Sequence, residues 1–522
     1  MLLALLISVE VGSAQVYFNT QIDWEHDYEY LGGVITFGDS SSILVAGGNS
    51  GLTTYIDHFL VSKLTNTGDL KWSKSFLPRP NSSGNTIGLL KLDERFSIIL
   101  GNAYLFDAVP ENHQYFFIKI NNESGDTIWV KELGNNSLQE GGHELIKTAD
   151  GGFAIMGYFF PVSGTQRQKI SIHKTDSLGN LIFRKEYTTD PAKNHFAYSL
   201  TETYDGGYLI FGFISYEGPY LGGFGTENKL DMVLLKTDAQ GNQQWVKVYP
   251  PWEWKQILFY GLDLQPLPDG DFLMAGLKAY ALYEPGNTYV GNYFFARLNE
   301  SGEFVDSVTL DKSYYYFKIN RLKPTSDGSF WAIGAERDTF TEGQTGLIMK
   351  ITPGLEVLWK REYRVSPPES MLHEIFFEGV EMPDKGFVLC GRAFGPLEDS
   401  TNQNGWVIRV DSFGCLEPGC QLNSAIEDPP TPEQDIGITL SPNPTSGQAT
   451  LALTHEDAVL LGVRVLDVQG RVVSDMQFLR SAGWREWMVE LGGEPVGLYV
   501  VWVRTSEGWA VKKIIKAIIH NY

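Results

Sequence analysis

The chain has 522 residues, 43% apolar and 13% aromatic, which is enough for a large buried core and too long for one ordinary domain unless it repeats. Its 41 Lys and Arg stand against 63 Asp and Glu, a formal charge of -22, which repels a phosphate backbone and excludes nucleic acid as a partner. No run reaches the ~18 uninterrupted apolar residues of a membrane helix, so peripheral surface attachment is expected rather than a transmembrane chain.

In chain order, residues 1–14 (MLLALLISVEVGSA) form a short apolar run closing on small residues before Gln15, the pattern of a signal peptide h-region and its cleavage site. No Lys or Arg precedes the run, so the segment reads either as a signal peptide whose basic start lies upstream or as a weak signal. Export is the expectation.

A turn, a short apolar strand and a glycine then recur as ADGGFAIMG (149–157), YDGGYLIFG (204–212), PDGDFLMAG (268–276), SDGSFWAIG (326–334) and PDKGFVLCG (383–391). Looser copies are DSSSILVAG (39–47) and DERFSIILG (93–101), which makes seven. The opening aspartates are spaced by 54 residues at the least (Asp39 to Asp93) and 64 at the most (Asp205 to Asp269). Each copy leads to a strand ending in a base, namely Lys63, Lys119, Lys174, Lys236, Arg297, Lys350 and Arg409, then a glycine turn and usually a tryptophan strand. A period of this size, with short strands and no helical pattern, fits about four strands per unit.

Strand cores such as FAIM and YLIF are apolar at both alternating sets of positions, as expected of sheets covered on both faces. The tryptophan strand is missing after the seventh unit, where CLEPGC stands instead, while QIDWEHDY at 21–28 precedes the first unit without a unit of its own. The fold class expected for residues 15–420 is therefore all-β: a seven-bladed β-propeller of four-stranded blades, the N-terminal strand around Trp24 closing the last blade beside Arg409. The alternative is an open β-solenoid, which needs no such closure.

Of three cysteines, Cys415 and Cys420 flank the loop LEPG and are the natural local disulfide in an oxidising compartment, with metal binding as the alternative. Residues 421–436, rich in Pro, acid and small polar residues, read as a linker. Beyond it, residues 437–522 hold about seven strand-like runs, enough for a small β-sandwich. Pro442 and Pro444 stiffen a turn holding Asn443 and Gly447, Gly470 makes a hairpin, and Gly497 opens the long strand of Tyr499 ahead of Lys512 and Lys513.

These stretches, SPNPTSG at 441–447, VLDVQGRVV at 465–473, GLYVVWVRT at 497–505 and KKII at 512–515, resemble the type A C-terminal sorting domain of the type IX secretion system of Bacteroidetes. The resemblance implies an immunoglobulin-like sandwich, passage across the outer membrane by the type IX secretion machinery, and removal of the domain by a sortase-like peptidase. The repeat is likewise similar to those of exported Bacteroidetes β-propeller proteins, which bears on fold and address and assigns no activity.

Nucleophile elbows, HExxH, phosphate loops, dinucleotide fingerprints, EF-hands and zinc spacings are absent from the sequence, so no catalytic residue, metal ligand or cofactor is assigned. The seven aspartates read as turn-holding side chains or as calcium ligands, and the seven bases as partners of those carboxylates or as an anion-binding ring. The long insertions offer Tyr216, Tyr220, Trp252, Trp254, Tyr283 and Tyr289 as a rim for stacking a glycan or protein ligand. The expected function is a secreted or cell-surface, non-enzymatic protein presenting a binding or structural surface. The competing reading is an extracellular hydrolase or lyase acting on glycan or peptide with acids drawn from several blades.

Overall fold

A computed structural model describes residues 17–23, 29–38, 42–49, 57–108, 112–134, 138–161, 167–215, 230–249, 257–258, 263–282, 288–314, 318–337, 344–365, 373–394, 403–417, 420, 437–454, 458–467, 472–477, 484–506 and 508–517. They fall into two compact units, one within Met1–Arg337 and Gly343–Leu416, the other within Glu417–Tyr522. Both are built of strands, with no helix among the described residues.

In the first unit the described residues form seven antiparallel sheets, six of four strands and one of five. Numbered along the chain, their inner strands are Glu29–Thr36, Ser82–Lys91, Leu138–Lys147, Asn194–Glu202, Asp263–Pro266, Lys318–Pro324 and Ile375–Glu381. Each inner strand contacts that of the next sheet, and the strand of sheet 7 contacts that of sheet 1, so the circuit closes. Hydrophobic clusters follow the same circuit, one between each sheet and the next. The cluster of Phe18, Leu31, Val45, Val388 and Val407 joins the last sheet to the first.

This packing explains the sequence pattern. The middle strands Tyr208–Ser215 and Gln403–Val410 are buried at every position because a neighbour covers each face, whereas the outer strand Leu70–Phe76 keeps four exposed residues. Most of the turn glycines ahead of the outer strands lie beneath an aromatic ring of the preceding sheet; Gly354, where Leu355 takes the positive φ, does not. Gly125 has φ +71, and a Cβ there would stand 2.6 Å from the Trp72 ring; Trp129, Trp245 and Trp359 crowd Gly179, Gly302 and Gly414 in the same way. Glycine serves here because it takes positive φ without strain and lets the indole lie on the backbone.

The N-terminal strand completes sheet 7 but is Phe18–Ile22, upstream of the expected segment centred on Trp24, which itself lies outside the described residues. Phe18 pairs with Arg409 and Ile22 with Gly405. Phe18 also sits over Gly68 (φ +86), doing for sheet 1 what the tryptophans do elsewhere. The stretch FNTQI buries both ends, Phe18 and Ile22, on one face, whereas Asp23, Glu25 and Asp27 crowd the later segment with charge.

Cys415 and Cys420 are disulfide-bonded, and Cys390 is a buried free thiol. In the second unit a three-stranded sheet (Ile438–Ser441, Gln448–Leu453, Glu486–Glu490) and a four-stranded sheet (Val472–Gln477, Leu460–Asp467, Gly497–Thr505, Gly508–Lys516) contribute to one core. Leu451 and Val489 come from the first sheet, and Val463, Val501, Val503 and Ile514 from the second.

Candidate functional site

The inner strands share an irregularity that sets what faces the axis. The register against the second strand slips between Leu31 and Gly33, Thr86 and Gly88, Gly142 and Glu144, Ala197 and Ser199, Ile319 and Arg321, and Phe376 and Glu378. Each slip is a β-bulge, which leaves one residue unpaired and re-aims its side chain. The unpaired residues are Gly32, Ile87, His143, Tyr198, Asn320 and Phe377. All six are exposed or half-buried, although the inner strands around them are largely buried.

The glycine that ends each repeat motif stands opposite the bulge. Gly47, Gly101, Gly157, Gly212, Gly334 and Gly391 pair with the residue just before each slip. A Cβ at Gly334 would fall 1.7 Å from the Lys318 carbonyl oxygen, and one at Gly391 would fall 1.8 Å from that of Ile375. Since backbone cannot move aside cheaply, Gly334→Ala is expected to destabilise the first unit by about 1–3 kcal/mol in urea unfolding, the range of core overpacking.

Three of the residues that follow the slips are charged, Glu144, Arg321 and Glu378. Glu144, Asp263, Arg321 and Glu378, with Ser199, occupy equivalent inner positions and are largely buried. Arg321 is central: its Nη1 lies 3.8 Å from Glu144 Oε1 and its Nε 3.2 Å from Glu378 Oε2. Backbone N–H groups take up much of what remains. Leu200 N donates to Glu144, Leu322 N to Asp263 Oδ2 at 2.8 Å and Gly379 N to Glu378 Oε1 at 2.8 Å, while the Ser199 hydroxyl donates to Asp263 Oδ1. Lys323 pairs with Glu378. Several of these bonds reach from one sheet to the next, so the carboxylates act as staples around the axis.

Burial, reinforced by Asp263 and Glu378 and opposed by Arg321, pushes the Glu144 carboxyl up to about 8. Burial likewise raises Asp263 against the pull of Arg321. Glu378 moves the other way: burial opposes ionisation, but Lys323 and Arg321 together hold it below the ordinary range. His143 is open to the axial space by surface area but ringed by protein, and desolvation there, then Arg321 and Lys318, press its imidazole down to about 4. Its ring stacks on Tyr198 with centroids 5.9 Å apart.

A cavity of about 360 Å³ opens at the axis, lined from sheets 1, 2, 6 and 7 by residues including Tyr30, Lys318, Asn320, Arg321, Phe377 and Arg392. None of its lining residues is acidic. Among the described residues no group of three or more His, Cys, Asp or Glu is arranged to hold a metal ion.

The seven repeated bases do not converge there. Lys174, Lys236, Lys350 and Arg409 reach the turn aspartates of their own sheets, Asp150, Asp205, Asp327 and Asp384, at 2.6–2.9 Å, and Arg297 bonds Asp269 and Asp271. Lys63 pairs with Glu123 of the next sheet, and Lys119 stands 4.3 Å from the centroid of the Phe96 ring. The aspartates hold turns as well. Asp150 Oδ1 accepts from Gly152 N–H at 2.9 Å and from the Thr148 hydroxyl at 2.6 Å. Burial opposes ionisation of Asp150, yet the bonds from Lys174, Thr148 and Gly152 bring it down to about 2.

Tyr216, Tyr220, Trp252, Trp254 and Tyr283 lie outside the described residues, and Tyr289 is placed only by its backbone, opposite Ala281. In the second unit Asn443, between Pro442 and Pro444, donates to the Lys513 carbonyl at 2.7 Å and accepts from Ile515 N–H at 2.9 Å, tying the first turn to the last strand. Gly447 has φ +156, Gly497 begins the strand in which the buried Tyr499 donates to Pro495 O, and Lys512 and Lys513 lie on the final strand. Gly470 lies outside the described residues.

Sequence reasoning missed Glu144, Asp263, Arg321 and Glu378. The signal was available: each lies six residues before its turn aspartate (Asp150, Asp269, Asp327, Asp384), a charge recurring at one repeat position inside strands.

The first unit is thus an all-β repeat ring with a polar axis. Residues 439–517 match the family of secretion system C-terminal sorting domains. The chain is accordingly exported, to the cell surface or the medium. No curated protein matches the chain. Similar solved structures include an ulvan-cleaving polysaccharide lyase (11% identity over 76% of this chain and 97% of that one, TM-score 0.45). Others are an α-L-arabinofuranosidase from Fusarium graminearum (11%, 76% and 98%, TM-score 0.38) and a protein of unknown function from Dyadobacter fermentans (10%, 75% and 97%, TM-score 0.40).

Proposed function

We propose that this is an exported, non-enzymatic protein in which a seven-bladed β-propeller (residues 15–420) presents a binding surface, with residues 421–436 as linker. Residues 437–522 are then an immunoglobulin-like sandwich that the type IX machinery recognises and a sortase-like peptidase removes. The closed circuit of inner strands and the N-terminal strand in sheet 7 support the seven-bladed reading.

The observation that carries the absence of catalysis is how the axial carboxylates are used. Glu144, Asp263 and Glu378 are spent on backbone N–H groups, Ser199, Arg321 and Lys323. A general acid and base must reach a substrate proton, and these groups face into the wall. The test is incubation of the purified full chain with a panel of polysaccharides, following reducing ends and unsaturated products. No release above that of an E144Q/E378Q variant is expected, and turnover lost in that variant would establish the hydrolase or lyase reading instead. For the address, a chain lacking residues 437–522 is expected to accumulate in the periplasm on cell fractionation, and normal surface display of it would refute the sorting role.

A further inference from the structure

We propose, resting on the binding reading above, that the axial cavity is a site for an acidic sugar, a saccharide end carrying a carboxylate or sulfate. Three cations line it, Lys318, Arg321 and Arg392, in a chain whose net charge is -22. Arg321 is compensated from behind by Glu378, 3.2 Å from its Nε. The other two are not: neither Lys318 nor Arg392 has a carboxylate within salt-bridge distance among the described residues, and the buried Arg392 Nε has no hydrogen-bond partner. Unpaired buried donors are costly, and two cations with no counter-ion repel one another. Lys318 is exposed to the cavity, and desolvation among the groups around it, then Arg321 and Arg392, press its ammonium down to about 8. An anion seated between Lys318 and Arg392 removes both penalties at once.

The rest of the wall selects the body that carries the anion. The Phe377 ring lies beneath the Arg392 guanidinium at 5.8 Å and meets the Tyr30 ring edge-on at 6.1 Å. These rings supply apolar faces of the kind on which sugar C–H groups pack. Asn320 commits its Nδ2 to the Phe376 carbonyl at 2.6 Å, which leaves its Oδ1 as the atom that can accept from a hydroxyl. The volume, about 360 Å³, is at the small end for ligand sites. It suits one or two sugar rings better than a length of peptide.

The test is calorimetric titration of the full chain with four probes: a digalacturonate, a sulfated disaccharide, cellobiose and a short Glu-rich peptide. One or both acidic sugars are expected to bind at least tenfold more tightly than cellobiose, the pair showing whether carboxylate or sulfate is preferred. Lys318→Met and Arg392→Met should each weaken that binding tenfold or more while leaving the thermal midpoint within a few degrees, and Lys318→Arg should retain most of it. Equal affinity for cellobiose, preference for the peptide, absence of sugar binding, or indifference to both substitutions would overturn the proposal. Cleavage of the bound acidic sugar would overturn the non-enzymatic reading and leave this ligand class standing, so the two failures are distinguishable.

Discussion

Arg321→Leu is expected to cost the first unit about 3–5 kcal/mol, the usual loss when one partner of a buried charge network is removed and the others stay behind. Burial alone disfavours a guanidinium, yet Glu144, Glu378 and Asp263 together hold Arg321 protonated above its ordinary range. Without it, Glu144 keeps only the Leu200 N–H, and Glu378 keeps Lys323 and Gly379.

The cost should depend on pH. Glu144 binds its proton more tightly folded than unfolded, its carboxyl rising from 4.5 to about 8. Such a group contributes stability that is complete below its unfolded value and is lost as pH climbs through the folded one. Arg321 opposes that rise, so removing it should widen the window and steepen the loss. Urea midpoints of the native chain and the variant should therefore lie closer together at pH 5 than at pH 8.5. A variant equally displaced at both would show that the carboxylates do not depend on Arg321 for compensation.

Deleting residues 17–22 is expected to be as damaging. The strand Phe18–Ile22 pairs with Gln403–Val410, buries Phe18 and Ile22, and contributes Asn19 Oδ1, which accepts from the Trp406 indole N–H at 2.6 Å, and Gln21 Nε2, which donates to Phe394 O at 3.0 Å. Two large apolar side chains contribute about 1.5–3 kcal/mol each, and the hydrogen bonds about 1 kcal/mol apiece. A loss of about 5 kcal/mol is expected, visible as a lower urea midpoint and an exposed Trp406 in fluorescence. A synthetic peptide of residues 15–24 should restore part of it. A truncated chain that unfolds with the native midpoint would refute the closing role.

The ring was legible because its repeat keeps one order at nearly constant spacing: a turn aspartate, an apolar strand closed by glycine, a strand ending in a base and a glycine turn. Trp24 stands in a segment that resembles the tryptophan strand Leu70–Phe76, whereas the contact over Gly68 needs only a flat ring, and Phe18 supplies it. The axis carried a fainter sign, a charge six residues before the turn aspartate in four of the repeats. Bulges shift register by one residue without a composition of their own, so Glu144 and Arg321 looked like ordinary strand charges. Lys318 and Arg392 lie 74 residues apart by number (392 − 318) and meet only because sheets 6 and 7 bring them to one cavity. The rim residues rest on insertion length and aromatic content, neither of which fixes where a loop lies.

The bulges carry one more consequence. Gly32, Ile87, His143, Tyr198, Asn320 and Phe377 differ in size and polarity, although the slip that holds each falls at the same place in its inner strand. A position excused from pairing and half open to water can change its side chain with little penalty to folding. Under the proposed binding role, mutation at these six positions would rewrite what the axis can hold while the frame stays as it is.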